Sequence, residues 1–292
     1  MTISPTQLGF ALALLASFLF SLKPIFIKEA YALGADSETL MVLRMWLALP
    51  FYLVMLAIQR KQLSQHLRHL PSIIGLGFIG YFLSSYLDLM ALESISAQAE
   101  RIILYAYPSL VVLFKAVQDR QLPSSRTLIF CGVVYAGLLF LLPGELNLSG
   151  SPTGLFLMLG CACSFALYVL LSKPVIQSVG VGLFTSCAMI ASVGFTQLNF
   201  IHIDLADIQA LSAPVFGYGM ALAFVSTVIP SYAMSAAIQK IGAEHTAITG
   251  ATGPVFTTLL AVIFLGEVLT IHHTVGLAFV ILGVYAMGRS RV

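Results

Sequence analysis

The sequence predicts an all-α integral membrane protein. Three observations carry that expectation: an apolar composition, a succession of hydrophobic runs each long enough to cross a bilayer, and a one-sided distribution of basic residues. Hydrophobic residues fill 59% of the 292 positions and charged residues only 9%, against roughly a quarter charged in water-soluble domains. Such a chain lacks the polar surface that water demands, so lipid is its solvent. The net charge of +2 is scattered singly rather than gathered in a stripe that competes for phosphate backbones, which excludes nucleic-acid binding.

A hydrocarbon layer of about 30 Å needs roughly 20 apolar helical residues. Ten runs qualify, over about 8–27, 39–58, 70–91, 96–116 and 126–143, then 152–173, 180–200, 213–237, 245–265 and 273–290. The first starts at Leu8 with no basic stretch before it and no small-residue cleavage site after it, so it reads as a span and not as a removable leader. Breaks at Gly34–Glu38, Arg60–His69, Arg120–Ser125, Pro143–Pro152, His202–Asp207 and Gly242–Glu244 carry turn-forming and charged residues. None is long enough for a soluble domain. Cys131, Cys161, Cys163 and Cys187 all fall in apolar runs, where they act as small hydrophobes. Cys161 and Cys163 are two apart and point to different helix faces, which argues against chelation. With no metal-ligand spacing, phosphate loop or nucleophile elbow, neither an enzyme nor a cofactor is expected.

Basic residues are retained on the cytoplasmic face. With the N-terminus inside, that face holds Arg60, Lys61, Arg68, Lys115, Arg120, Arg126, Lys173, Lys240, Arg289 and Arg291, and the outer face holds Lys28 alone. Acid collects outside, at Glu29, Asp36, Glu38, Glu145, Asp204 and Asp207. Both termini are therefore expected in the cytoplasm, and the protein in the inner (plasma) membrane.

Sliding the chain against itself by 146 residues, half of its 292, aligns Ser85-Tyr86 with Ser231-Tyr232, Ala91 with Ala237 and Ile95 with Ile241. The same ungapped offset pairs Ala97 with Ala243, Ile102 with Ile248, Pro108 with Pro254, Leu113 with Leu259 and Gly137 with Gly283. An internal duplication follows, with repeats at 1–146 and 147–292. Five spans per repeat, an odd number, invert the second copy, an arrangement that places a transporter's substrate site near the midplane between the halves.

The second-half runs Ala237-Ile238-Gln239-Lys240-Ile241-Gly242-Ala243-Glu244, Gly253-Pro254-Val255-Phe256 and Leu265-Gly266-Glu267-Val268-Leu269-Thr270 resemble the drug/metabolite transporter superfamily, in its EamA-type ten-helix branch. The first half repeats the pattern more loosely, at Ala91–Gln98 and Tyr107-Pro108-Ser109-Leu110, and carries Gln121 where the second carries Glu267. The resemblance covers essentially the whole chain. It implies a carrier of small metabolites working by alternating access without ATP hydrolysis, with aromatic amino-acid exporters of the YddG kind as the nearest functional analogy. The alternatives are a carrier of another anionic or amphipathic metabolite and a non-transporting membrane scaffold or sensor. An anionic sugar-nucleotide or phosphate carrier needs more cavity cations than this chain offers. The partners expected are a small-molecule substrate and the lipid bilayer. A homodimer is compatible with the sequence, which carries no feature that demonstrates one.

Charges inside spans cost at least about 2.5 to 3.5 kcal/mol each and so face protein or a wet cavity. At about 1.5 Å rise per residue, Lys23, Arg44 and Arg101 fall about 6 to 8 Å outward of the membrane centre, with Asp88 and Glu100 at similar depth. Two readings stand side by side. In one, the three cations line a cavity and receive a carboxylate, while Asp88 or Glu100 carries a proton. In the other, the layer is a structural network, with Arg44 paired to an acid or Lys23 snorkelling to the interface. Lys23 in the first span disfavours lipophilic cations as cargo, since their carriers need a membrane carboxylate there. Trp46, Tyr86, Tyr105 and Tyr232 are candidates for an amphipathic pocket. Tyr105 and Tyr107 flank Pro108 and cannot share one face of a continuous helix, so only one is expected to point inward. Pro108 and Pro254 are candidate gate kinks or static bends in mid-helix. Gly132, Gly137, Gly276 and Gly283 are expected to allow close approach of spans five and ten. Glu267 is expected to cap the following helix or be solvated, and His272-His273 to form a solvated helix start.

Overall fold

The computed structural model describes residues 4–149, 152–203, 205–250 and 252–289, all of them helix or the turns between helices. The long helices are α1 (Pro5–Ala32), α2 (Ser37–Ile58), α3 (Leu67–Leu92), α4 (Ala97–Asp119), α5 (Ser125–Ser149), α6 (Thr153–Val179), α7 (Val181–Asn199), α8 (Ala213–Ala243), α9 (His245–Phe264) and α10 (Ile271–Arg289). Eight of them, all but α5 and α10, are long and apolar enough among the described residues to cross a membrane, and α5 and α10 contain the shorter apolar stretches Leu128–Gly137 and Ile271–Gly283. Asp204 and Arg291 lie outside the described residues, as do the side chains of Glu145, Glu244 and Arg289.

Local sequence sets the helix ends. Ser4 and Gln7 form a reciprocal capping box ahead of Pro5, Asp36 accepts from the Thr39 N–H, and Ser96 accepts from the Ala99 N–H. Gly180 and Gly242 turn the chain with φ of 84° and 80°, a conformation that costs glycine no Cβ clash. α5 continues beyond the turn expected at Pro143, as far as Ser149.

Helices α2 and α7, α3 and α6, and α5 and α10 pack pairwise, while α1 runs along the end of α8 and the start of α9. In lipid, helix association rests on close packing and small residues. A Cβ on Gly137 would stand 2.7 Å from Phe279 Cβ, and one on Gly283 would stand 2.6 Å from Val134 Cγ2. Gly132 differs from the expectation: nothing lies within 4 Å of its notional Cβ, because it faces away from α10.

Three helices are interrupted where their prolines lie. α1 breaks at Leu22 before Pro24, α4 at Tyr105-Ala106 before Pro108, and α9 before Pro254. This corrects the expectation of mid-helix kinks. Pro108 and Pro254 occupy the first turn of a new half-helix, where proline's fixed φ suits a helix start. Two wide π-helical turns, Phe78–Leu83 in α3 and Phe224–Val228 in α8, begin 146 residues apart.

Candidate functional site

These interruptions surround a cavity of about 830 Å³, counting the space at its mouth, walled by α1 to α4 and α6 to α9. Its geometry follows from backbone groups that the prolines release. Pro24 has no N–H to close a bond onto the carbonyl of Phe20, and Arg101 Nη2 donates to that oxygen at 2.6 Å. Pro254 likewise releases the carbonyl of Gly250, to which Ser17 Oγ donates at 3.0 Å. One turn on, Ser21 Oγ donates to the Gly253 carbonyl at 3.1 Å. Ser17 also meets Tyr105 Oη at 3.1 Å, so α1 pins the broken ends of both α4 and α9. Membrane helices tolerate such breaks only where neighbours satisfy the freed groups.

The break in α4 changes the expectation for its tyrosines. Tyr105 ends one half-helix and Tyr107 starts the next, so the angular step of a continuous helix does not apply, and both rings line the cavity with centroids 5.8 Å apart. Glycine makes room for them: a Cβ on Gly250 would stand 3.0 Å from Tyr107 Oη, and one on Gly253 would overlap Tyr105. Phe165 adds a T-shaped contact to Tyr107 at 5.0 Å, and Tyr81, hydrogen-bonded to Tyr168 at 2.7 Å, completes an aromatic wall.

All five intramembrane charges line this cavity, and their partners differ. Lys23 forms an ion pair with Asp88. Arg101 Nε stands 3.1 Å from Glu100 Oε2, but neither atom completes a hydrogen bond there. Arg44 is 2% exposed. Its Nη2 contacts Met41 Sδ at 2.9 Å, its Nε has no hydrogen-bond partner, and no carboxylate lies within 4 Å of it among the described residues. Of the three cations, Arg44 is the one not committed to a protein oxygen. Asp88 Oδ1 and both oxygens of Glu100 also lack hydrogen-bond partners, although Glu100 is fully buried.

Trp46, Tyr86 and Tyr232 are not part of this wall. Trp46 Nε1 donates to Gln197 Oε1 at 2.8 Å, Tyr86 packs on Phe200 at 5.3 Å, and Tyr232 meets Ser186 Oγ at 2.7 Å. Pro108 and Pro254 stand beside the cavity at the breaks. Glu267 caps a helix, but not its own successor: its carboxylate accepts from the N–H groups of Ala97 and Gln98 at 2.8 and 3.3 Å, at the start of α4. His273 departs from the solvated start expected of it, being fully buried with Nδ1 2.9 Å from Thr270 Oγ1, whereas His272 is half-buried with Nδ1 3.1 Å from the Phe140 carbonyl oxygen. Sequence reasoning missed Ser17, Phe165, Ser226, Thr227 and Thr246 on the wall. The readable signal was the pair Ser17 and Ser21, four apart and so on one face of an apolar span.

A multi-span helical membrane protein with a charged, aromatic-walled cavity between broken helices is the class that fold and site define. Residues 7–142 and 152–289 each match the EamA-like transporter family. Over 278 residues the chain is 30% identical to the uncharacterized transporter YcbK of Bacillus subtilis (strain 168), covering 92% of this chain and 88% of that one. The chain belongs to the EamA-like transporter family, within the drug/metabolite transporter superfamily. A solved protein structure of 16% identity superposes over 95% of each chain with a TM-score of 0.65, a likeness of fold alone.

Proposed function

We propose that this protein is a ten-span secondary transporter of the inner (plasma) membrane that exports amino acids by alternating access through the central cavity. In this reading the repeats 1–146 and 147–292 are inverted relative to each other, both termini are cytoplasmic, and the lipid bilayer and a small-molecule substrate are the partners. The observation that carries it is Arg44, a buried guanidinium without a carboxylate among the described residues, on the wall of a cavity that also presents aromatic rings. A guanidinium fork suits the two oxygens of a carboxylate, and Tyr81, Tyr105, Tyr107 and Phe165 offer apolar faces for a side chain.

Lys23 and Arg101 set the charge of the pocket through their own protein partners. Trp46, Tyr86 and Tyr232 support helices behind the wall, and Pro108 and Pro254 mark the half-helices that re-orient between states.

The test is uptake of labelled phenylalanine and leucine into liposomes holding the purified protein, with and without a pH gradient. Uptake above empty liposomes is expected. Arg44→Lys, which keeps the charge and loses the fork, is expected to reduce it tenfold or more, in line with the roughly 1.5–3 kcal/mol of a hydrogen bond to a charged group. A folded protein that moves neither amino acid overturns the amino-acid reading.

A further inference from the structure

Glu100 is a wall carboxylate whose neighbouring cation, Arg101 with Nε 3.1 Å from Oε2, completes no hydrogen bond to it. It is fully buried, and neither of its carboxyl oxygens completes a hydrogen bond. The groups that face it are Lys23 on α1, Asp88 on α3, Cys161 on α6, and Arg101 and Tyr105 on its own helix. Lys23 is taken by Asp88, Arg101 Nη2 by the Phe20 carbonyl, and Tyr105 by Ser17. From the other helices packed on this part of α4, Gly253–Phe264 carries no ionisable side chain. Tyr135 of α5 lies 3.5 Å from Ser109, and His273 of α10 is held by Thr270.

Asp88 and Glu100 lie within hydrogen-bonding reach of each other, yet Asp88 Oδ1 is also without a donor. Two carboxylates in contact repel, and both are acceptors only. One proton between them removes the repulsion and satisfies an orphaned oxygen on each side.

We propose that Glu100 is a proton-exchange site: in the substrate-free protein its carboxyl group holds a proton that bonds it to Asp88, and the ammonium group of a zwitterionic substrate displaces that proton. This rests on the amino-acid reading above. In the exchange, the Glu100 O–H bond breaks, its proton passes to water in the cavity, and the carboxylate left behind pairs with the ammonium. The carboxylate of the same substrate sits on Arg44. Proton and substrate then exclude each other from one site, which is the thermodynamic condition for antiport, and a proton gradient directed inward drives the amino acid out.

The experiment is infrared difference spectroscopy on the full-length protein in lipid. A protonated-carboxyl band that shifts in D₂O is expected at neutral pH in the wild type and not in Glu100→Gln, a near-isosteric variant. L-phenylalanine is expected to bleach it with release of a single proton, 3-phenylpropionate, which lacks the ammonium, to leave it in place, and Glu100→Asp to restore it. Absence of a band removed by Glu100→Gln overturns the proton site. A band unchanged by L-phenylalanine, in protein that measurably exchanges L-phenylalanine, overturns the displacement. If no amino acid is exchanged at all, the amino-acid reading and the displacement fall together, and the band still decides whether Glu100 holds a proton.

Discussion

Two walls of the cavity are built from residues 146 apart and carry different chemistry. Tyr81, Ser85, Asp88 and Glu100 on α3 and α4 have Thr227, Ser231, Met234 and Thr246 as their counterparts on α8 and α9, and all eight line the same space. The backbone devices recur on both sides: a π-helical turn, then a helix broken ahead of a proline. The ionisable side chains do not. Lys23, Arg44, Asp88, Glu100 and Arg101 stand where the second half has Val169, Ile190, Met234, Thr246 and Ala247. The two halves thus share a backbone scaffold of π-turns and broken helices, while the ionisable side chains belong to one wall.

The largest expected contrast is in stability. Lys23→Met leaves the Asp88 carboxylate buried and unpaired, and breaking such a pair costs about 3–5 kcal/mol. The double variant Lys23→Met with Asp88→Met is expected to recover most of that loss. On the other wall, Thr246→Val loses one hydrogen bond, from Oγ1 to the Gly242 carbonyl at 2.7 Å, for about 0.5–1.5 kcal/mol. Unfolding in detergent micelles measures both, and equal losses would break the asymmetry.

A smaller difference separates two serines that tie α1 to the second half, Ser17 on α1 itself and Ser226 on the π-helical turn of α8. Ser17→Ala strands the Gly250 carbonyl and the Tyr105 hydroxyl together, with an expected cost of about 1–3 kcal/mol. Ser226→Ala removes a bond to the Leu19 carbonyl, which the Leu22 N–H also reaches, and is expected to cost less than about 1 kcal/mol. Between α5 and α10, Gly137→Ala forces Phe279 and the Gly276 carbonyl apart for about 1–3 kcal/mol, while Gly132→Ala is expected to change stability by no more than about 0.5 kcal/mol. Thermal melts of the two variants side by side test this.

Eight of the ten expected spans were legible as helices long and apolar enough to cross a membrane, because a bilayer imposes length and apolarity on each helix independently. That the five charged residues gather at one cavity was legible because groups at like positions along neighbouring helices come together. Partners were not. That Arg101 serves a carbonyl follows only once Pro24 is known to release Phe20 and α4 to pass beside it. The joint inward turn of Tyr105 and Tyr107 depends on a break that helical periodicity assumes away. Trp46 and Tyr232 look alike in sequence to wall residues, since a span's composition does not say which of its faces meets which neighbour.

Glu267 shows how a local motif can be read on the wrong helix. Its sequence position after Gly266 suggests service to α10, yet it reaches α4 of the other half and, with Ser96, leaves the first three N–H groups of that helix bonded. Its counterpart Gln121 is exposed beyond the end of α4 and caps no helix start in the described residues. Removing the charge while keeping the shape, in Glu267→Gln, is expected to cost about 0.3–1 kcal/mol through the lost interaction with the helix N-terminus. Gln121→Glu is expected to leave the melting temperature unchanged. A loss at Glu267 well above that range would mean that the two halves are held together at this cap as well as at the cavity, because the carboxylate is a direct hydrogen-bonded tie between α4 and the segment following α9.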